Sequence, residues 1–437
     1  MADTAHPLQE DTPVLPSSFR KLSPREKRRI LESLLELSPQ EMQASAPAEE
    51  MVDLADVMVE SAVGVMPVPL GIATGIRIDG IRTNIPMAVE EPSVVAAATF
   101  AGQLISRGGG GFETAGTGQV MTAQIAIDDT GPGAVEAVQK AERDLHRELT
   151  GILQPMTARG GGYRGIEATV LPDSGLFVVY LHVDTCDAMG ANLINTAAEA
   201  LRSPLERITG GTVLMAILTN GAPRRRSRAS FSIPVEKLAR GTYDGPTMAK
   251  RIVRANEFAH TDRLRAVTHN KGIMNGITAL ATATGNDTRA IEAAVHAWAA
   301  RDGEYRALTD YRVQDGCLEG SLELPLAMGT VGGAVGFHPV SSFALKVLFM
   351  DSSVEPSASR LQRVAAALGL AQNFAAISAL VSEGIQHGHM RRHARRLAWK
   401  AGARHQEIQD LADRIWNAGK FNLEAAQTLL ATLRRES

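Results

Sequence analysis

The segment HNKGIMNGITALATATGND, from His269 to Asp287, combines the pattern of a buried helix with residues suited to a catalytic site. Near its start Lys271 stands next to a glycine, and its end is Gly-Asn-Asp, a composition typical of turns. Between them Ile273 and Ile277 recur at helical spacing. The segment therefore predicts a buried helix flanked by a cation and a carboxylate. Either the two charges form a site, or the lysine is solvated and Asp287 only caps the next helix.

Composition limits the class of protein. With 437 residues, 44% hydrophobic and 21% charged, the chain is globular and large enough for two or three domains. The net charge of −3 gives no basic surface for nucleic acid or for an anionic membrane. Two cysteines without a CxxC motif indicate a reducing compartment. No apolar run is long enough to span a membrane and the N-terminus lacks a secretory pattern, so we expect a cytoplasmic protein.

The first hundred residues carry local signals for helices and a hairpin. Residues 1–18 are polar and proline-rich, which predicts a flexible N-terminus, and residues 23–26 form a capping box that starts a helix. The alternating segment around the Asp-Gly pair at 79–80 predicts a β-hairpin. Glu90 and Glu91 then precede a proline-initiated, alanine-rich helix. These carboxylates either interact only with the helix dipole or supply one carboxyl whose pKa burial raises.

Residues 109–222 contain short strand-like runs separated by two helical segments, roughly 133–150 and 189–207. This alternation predicts a compact α/β unit inserted into a larger domain. In it the strand FVVYLHV leads into DTCDAMGAN (184–192) and a helix, either a site for a phosphate at the helix N-terminus or a purely structural turn. The glycine-rich segments do not form GxGxxG between a strand and a helix, so a Rossmann domain is excluded.

The last third of the chain is predicted to be mainly helical. A long alanine- and leucine-rich helix at 356–383 contains Gln372 and Asn373, and buried amides need either neighbouring protein groups or a ligand as partners. A Gly-His loop containing His389 follows, and then an amphipathic tail at 404–434. This predicts either a movable flap that carries a histidine or a set of surface histidines. No carboxylate or cysteine stands at ligand spacing, so no metal site is expected.

Seven motifs taken together resemble one family, 3-hydroxy-3-methylglutaryl-coenzyme A reductase of the soluble bacterial class (class II). The resemblance extends from about residue 50 to 400, in the family's order. The motifs are EEPSVVAAA (90–98), DAMGAN (187–192), RAVTHNKGIMNG (265–276), ATGND (283–287), GSLELPLAMGTVGG (320–333), GLAQNFAA (369–376) and EGIQHGHM (383–390).

The resemblance implies an α/β (α+β) fold. A large substrate-binding domain, 19–108 plus 223–383, would surround a central helix. A ferredoxin-like NAD(P)-binding domain would be inserted at 109–222, and residues 384–437 would form a C-terminal helical flap. The subunits would pair as a homodimer or higher homo-oligomer with the active site between them, without nucleic acid or membrane as a partner.

The resemblance also implies a reaction and its residues. Hydride from NADPH or NADH would reduce 3-hydroxy-3-methylglutaryl-CoA twice, giving mevalonate and CoA, or the reverse. By motif, Glu91 would donate a proton, Lys271 would stabilise the oxyanion, Asp287 would lie between them, and His389 would protonate the CoA thiolate. The implied substrate-binding residues are Ser93, Arg265, Asn275, Gln372 and Asn373. The implied cofactor-binding residues are Asp187, Met189, Gly190 and Asn192.

The cofactor preference rests on the segment 150–162, which has no acid before its glycines, where NADH-preferring members of the family place one. Arg143, Arg147 and Arg159 lie around it, which favours NADPH with tolerance of NADH, unless Glu148 supplies the acid or the arginines are a solvated helix face.

Two other functions stay open. One is a non-catalytic CoA- or nucleotide-binding relative, which the four competent catalytic residues disfavour. The other is a dehydrogenase of a different acyl-CoA, which Arg265 and the amides at 372–373 disfavour. The direction of the reaction in the cell is not encoded in the chain.

Overall fold

The computed structural model describes Leu22, Ser23, Glu26, Arg29 and residues 49–351, 354–382 and 385–436, except for the side chains of 49–50 and 385–392. The predicted flexible segment 1–18 lies outside the described residues. The chain forms two compact units, one up to Pro69 and one from Leu70 onward.

In the first unit the Ser23 amide donates to Glu26 Oε2 at 2.8 Å and the Glu26 amide donates to Ser23 Oγ at 3.3 Å. The predicted capping box is therefore confirmed. One further helix of this unit is described, α1 (Glu49–Met58).

The second unit combines helices with three antiparallel sheets. Its strands are β1 (Leu70–Ile78), β2 (Ile81–Ala88), β3 (Glu113–Gly116), β4 (Val120–Asp128), β5 (Gly162–Val170), β6 (Phe177–Asp184), β7 (Thr212–Thr219), β8 (Arg226–Pro234), β9 (Thr309–Gln314) and β10 (Cys317–Pro325). Its α-helices are α2 (Val94–Gly109), α3 (Ala134–Lys140), α4 (Glu142–Thr157), α5 (Ala191–Ala200), α6 (Arg202–Thr209), α7 (Gly245–Thr261), α8 (Arg263–Ala283), α9 (Thr288–Ala299), α10 (Pro339–Leu348), α11 (Ala358–Leu380), α12 (Ile385–Lys400), α13 (Glu407–Ala418) and α14 (Leu423–Glu436).

Strands β1 and β2 form the predicted hairpin. Asp79 and Gly80 at its tip have φ angles of 52° and 80°, both in the left-handed region that a two-residue type I′ turn requires. The carboxylate of Asp79 also accepts from the Thr114 amide at 2.7 Å and from the buried guanidinium of Arg360 at 2.6 Å. The turn that forms the hairpin therefore also fastens it to β3 and to α11.

Helices α8 and α11 form the centre of the large hydrophobic core, where α11 also packs against α2 and the sheet β3-β8-β10-β9. Glycines permit their close approach. A Cβ added at Gly276 would lie 3.2 Å from Gln372, and one added at Gly369 would lie 2.8 Å from Ile277. Helix α11 is long and apolar enough to cross a membrane, but 78% of its apolar window is buried inside the protein, as in the core helix of a soluble fold.

The second four-stranded sheet has its own core, formed largely by residues between Met121 and Ala222. Its elements follow the order β4-α3-α4-β5-β6-α5-α6-β7, and the strands are antiparallel in the spatial order β5-β6-β4-β7. This is the βαββαβ pattern of ferredoxin-like units. The segment predicted as one helix at 189–207 is divided into α5 and α6, because Pro204 has no N–H to continue the helical ladder. The domain boundaries at 109 and 222 stay a prediction.

The C-terminal helices α12, α13 and α14 share a small separate core. Leu411 and Ile415 on α13, and Leu430 and Leu433 on α14, are buried, so these parts of the predicted amphipathic stripes are confirmed. The predicted Gly-His loop is wrong, because the segment from Ile385 onward is the start of α12. One internal glycine costs a helix only about 1 kcal/mol, and most of its neighbours are adequate helix formers.

Candidate active site

The centre of the site is an ion pair between two residues far apart in sequence. Lys271 Nζ donates to Glu91 Oε2 at 2.9 Å. Lys271 projects from the middle of α8. This helix begins at Arg263, before the segment from His269 to Asp287, because the Asp262 carboxylate accepts from the Arg265 amide and caps the helix. Glu91 lies in the loop between β2 and α2. The side chains of Lys271 and Glu91 are 60% and 37% exposed, so the pair adds at most about 1 kcal/mol to stability.

Ser93, two residues after Glu91, begins α2 in a strained conformation. Its φ of 87° lies in the left-handed region, and its hydroxyl does not cap the helix. A serine held in that region costs roughly 1–3 kcal/mol, and such outliers cluster at ligand sites. The strain is consistent with the predicted role of Ser93 in binding substrate.

The face of α8 that carries Lys271 also carries Asn275, because residues four apart stack on one side of a helix. Arg265, in the first turn of α8, is half-buried, and burial lowers the pKa of its guanidinium, which nevertheless stays a cation. In the part of the chain that the structure describes, this guanidinium forms no ion pair. A partly desolvated guanidinium without a protein carboxylate is suited to a bidentate contact with a substrate carboxylate.

Gln372 and Asn373 on α11 are both buried, but their amides differ. The Oε1 atom of Gln372 has no hydrogen-bond partner among the described residues, and its side chain lies against Gly276 of α8. Asn373 is engaged within the protein: its Oδ1 accepts from the Tyr311 hydroxyl at 3.0 Å, and its Nδ2 donates to the His269 carbonyl at 3.3 Å. Gln372 therefore offers a free acceptor, whereas Asn373 holds α8, α11 and β9 together.

The predicted position of Asp287 between Glu91 and Lys271 stays a prediction, and within the chain Asp287 lies beyond the end of α8. It caps α9, accepting from the amides of Arg289 and Ala290 at 3.1 and 3.0 Å. Lys271 precedes Ala283, the last residue of α8, by twelve residues. At 1.5 Å per residue that unbroken stretch of helix is about 18 Å long. The side chain of Asp287 is 46% exposed.

His389 lies on α12, and its side chain is outside the described residues. The same helix is fastened next to the ion pair, because Arg396 Nη2 donates to the Glu90 carbonyl at 3.2 Å. Position 389 precedes Arg396 by seven residues, about 10 Å along a helix. Arg396, which had no assigned role in the sequence, thus connects the helix of His389 to the loop of Glu91.

The predicted cofactor segment is a tight turn between β6 and α5. Gly190 begins α5 with a φ of 87°, and an added Cβ would lie 2.4 Å from Thr185, so only glycine fits. Asp187 Oδ1 accepts from the Ala358 amide at 2.8 Å, at the start of α11. Met189 is half-buried, and Asn192 is exposed in the first turn of α5.

Sequence reasoning missed Arg225, which is fully buried beneath this turn. Its guanidinium donates to Thr185 Oγ1 and to the Ala188 carbonyl, both at 3.0 Å. Burial lowers the pKa of Arg225 to about 10. The arginine run PRRRSR (223–228) was the available signal, but a charge run is normally a solvated face.

The arginines near the turn have different surroundings. Arg147 pairs with Asp144 on the outer face of α4, where its side chain is 77% exposed. Arg159 is exposed in the loop after α4, and its carbonyl accepts from Cys186 Sγ at 3.7 Å, so this loop contacts the cofactor turn. The Arg164 guanidinium stabilises this loop, because it donates to the Asp184 carboxylate at 3.2 Å and to the Gly160 carbonyl at 2.9 Å.

The chain matches the profile of a family described as hydroxymethylglutaryl-coenzyme A reductase over residues 23–394. A 3-hydroxy-3-methylglutaryl-coenzyme A reductase of Archaeoglobus fulgidus is 43% identical, over 95% of this chain and 94% of the relative. A solved structure of the reductase from Streptococcus pneumoniae has a TM-score of 0.74 and 38% identity, over 95% of this chain and 99% of that chain. A class II reductase structure from the same organism, bound to NADPH in open conformations, has a TM-score of 0.73 and 39% identity, over 94% of this chain and 99% of that chain. These matches confirm the resemblance seen in the sequence: this chain belongs to the hydroxymethylglutaryl-coenzyme A reductase family.

Proposed function

We propose that this protein reduces 3-hydroxy-3-methylglutaryl-CoA to mevalonate and CoA, or catalyses the reverse reaction, with NADPH or NADH. The observation that carries the proposal is the 2.9 Å pair of Lys271 and Glu91, a cation and a carboxylate beside the strained Ser93. A structural relative bound to NADPH supports the choice of cofactor. Bound NADPH or NADH would supply hydride, and the residues of this chain bind the substrate, stabilise the developing charge and transfer protons.

Lys271 stabilises the negative charge that develops on the carbonyl oxygen as hydride adds, and this electrostatic effect is the largest single contribution expected of the protein. Glu91 donates a proton to the reduced oxygen. The first reduction gives a hemithioacetal, whose collapse expels CoA thiolate and leaves mevaldehyde. His389 protonates that thiolate, a role suited to a group with an ordinary pKa near neutrality. A second hydride transfer and a second proton then give mevalonate.

Five residues of α2, α8 and α11 hold or position the substrate. Arg265 binds the terminal carboxylate of the hydroxymethylglutaryl group, because no carboxylate among the described residues pairs with it. The unpartnered Oε1 of Gln372 accepts from a substrate hydroxyl. Ser93 and Asn275 complete the site beside Lys271. Asn373 acts as a positioning residue, because its amide is already engaged by the protein.

Two copies of the chain complete the site. Asp287 lies beyond the end of α8, too far to reach Lys271 of its own chain, so we assign it to the active site of a second subunit in a homodimer. Exposed apolar side chains on the elements next to Lys271 and Asp287 support the pairing of two subunits. Leu264 and Val267 lie on the first half of α8, and Phe343 lies on α10, whose start packs against the Gly285 turn. Asp287 of the partner subunit then keeps Lys271 charged.

The dinucleotide lies on the turn between β6 and α5, formed by Asp187, Met189, Gly190 and Asn192. The α5 N-terminus offers backbone N–H groups to its phosphates. Arg159, exposed in the loop that contacts this turn, would meet the 2′-phosphate, which favours NADPH. We place the protein in the cytoplasm, without a nucleic acid or a membrane as partner.

The test measures thioester-dependent oxidation of NADPH by the purified protein and by Lys271→Ala. Removing the cation is expected to lower kcat about 10²–10³-fold. The free energy of unfolding should change by less than about 1 kcal/mol, because the pair is exposed. Lys250→Ala, an exposed lysine on α7, is the matched control and keeps full activity. Near-normal turnover by Lys271→Ala would exclude this site, and binding without turnover by the unaltered protein would favour a non-catalytic relative. Faster turnover of another acyl-CoA would favour a different dehydrogenase.

A further inference from the structure

A cavity of about 450 Å³ lies between α2, α7 and α11, outside the proposed active site. That volume falls in the range of small-molecule sites. Its walls combine polar groups with six large apolar side chains, namely Phe100, Leu104, Leu238, Met248, Ile252 and Phe374. The cavity is therefore large enough for a ligand and is shaped for an aliphatic or aromatic body.

The cavity uses a different face of α11 from the substrate site. Phe374 and Ser378 line it and stand four residues apart, on one face of the helix. Gln372 precedes Phe374 by two residues, which turns it about 200° away around the axis, where it contacts Gly276 of α8. A ligand in the cavity would therefore not occupy the space beside Gln372.

Two of the polar side chains that line the cavity are cations. Lys237 is exposed, and the Arg240 guanidinium lies over the Phe100 ring, 5.3 Å from its centroid. Among the described lining residues there is no carboxylate to neutralise these cations. The Ser378 hydroxyl is buried and has no hydrogen-bond partner within the described part of the chain, an unusual state for a buried polar group.

We propose that this cavity binds an amphiphile with an apolar chain and a single anionic head group. The apolar walls take the chain, because burying methylene groups is favourable. Arg240 and Lys237 take the head group, because a guanidinium and an ammonium both pair with carboxylate or phosphate. Carboxylates and phosphate monoesters share this chemistry.

The experiment measures binding of octanoate and octyl phosphate to the full chain by titration calorimetry, with octan-1-ol and octylamine as matched probes. We expect both anions to bind at least about tenfold more tightly than the alcohol, and the amine not to bind. Hexanoate should bind about tenfold more weakly than octanoate, from the loss of two methylene groups. A preference for octanoate would identify a carboxylate as the natural head group, and a preference for octyl phosphate a phosphate ester.

Variants locate the binding. Ser378→Leu fills the cavity and Arg240→Gln removes one cation, and each should weaken octanoate binding at least about tenfold. Lys250→Gln, on the opposite face of α7 from Met248 and Ile252, is the control and should change nothing. Arg240 is partly exposed, so its variant tests the proposal even where Ser378→Leu misfolds. Equal binding of octanol or octylamine, unchanged affinity in Arg240→Gln, or displacement of octanoate by saturating 3-hydroxy-3-methylglutaryl-CoA would overturn the proposal.

Discussion

Complementation between two inactive variants tests whether the active site is shared between subunits. Lys271→Ala removes the cation, and Asp287→Asn removes the carboxylate charge while keeping a good N-cap for α9. The two variants are co-expressed with different affinity tags, and the heterodimer is isolated by two successive purifications. Its kcat for the thioester is compared with those of the two homodimers and of the unaltered protein.

The expected magnitude follows from the geometry of α8. If Asp287 serves the other subunit, one site of the heterodimer contains both native residues and the other site lacks both. A twofold dimer then shows about half of the unaltered kcat, whereas each variant homodimer is nearly inactive. If Lys271 and Asp287 acted within one chain, every site of the heterodimer would lack one of them, and no activity would return.

Glu91 provides the matched control. It contacts Lys271 of the same chain at 2.9 Å, so Lys271→Ala combined with Glu91→Gln leaves every site one residue short. This heterodimer should stay inactive. Two results would refute the reasoning: no recovery in the pairing of the variants at 271 and 287, or recovery in the pairing at 271 and 91.

Three further predictions concern the proton donor, the cofactor and pH. His389→Gln should slow reduction of the thioester far more than reduction of free mevaldehyde, because only the first step expels a thiolate; equal losses would assign His389 another role. Arg159→Ala should shift the NADPH/NADH ratio of kcat/KM at least about tenfold towards NADH, with Arg147→Ala as the control, and an unaltered protein that prefers NADH more than about tenfold would contradict the assignment. Burial lowers the pKa of His269 to about 3 in the folded state. In the unfolded state His269 has its ordinary pKa near 6.5, so between these two pH values it binds a proton only when the protein is unfolded. Stability that is complete above pH 6.5 should therefore fall by about 1.4 kcal/mol per unit as the pH drops towards 3. Urea unfolding measures how far the free energy of unfolding falls between pH 7.5 and 5.0. This fall should be about 2 kcal/mol smaller in His269→Gln than in the unaltered protein, and an equal fall in both would count against this account.

Features controlled by neighbouring residues could be predicted from sequence. The Asp79-Gly80 turn has one favourable geometry, and the Ser23–Glu26 box satisfies helix amides within four residues. The stripe on α13 also follows from helical period alone. The residues of the site were predicted from the family motifs. Local rules alone were also compatible with a purely structural role for Lys271 and Asp287.

Features that depend on distant parts of the chain could not be predicted. The position of Asp287 relative to Lys271 was predicted from the family motifs, and the sequence does not show whether both residues of one site come from one chain. The helix between them is unbroken, and that rigidity separates them. Arg225 was missed for a related reason, since its burial depends on the Ala188 and Met328 carbonyls, which come from two other segments. Which arginine of a run is buried is decided by tertiary packing.

The properties of α8 connect the core to the proposed chemistry. Its Gly276 and the facing Gly369 let it pack closely on α11, so Lys271 projects from a closely packed part of the core. The same continuous helix keeps Lys271 about 18 Å from the turn that carries Asp287. Under the proposed assignment, a single chain carries two separate half-sites, and a twofold axis between two chains would complete both at once. Shortening or kinking α8 could bring the two charges together in one chain, but it would disrupt the core that holds Lys271 in place. We therefore propose that pairing of subunits satisfies both requirements.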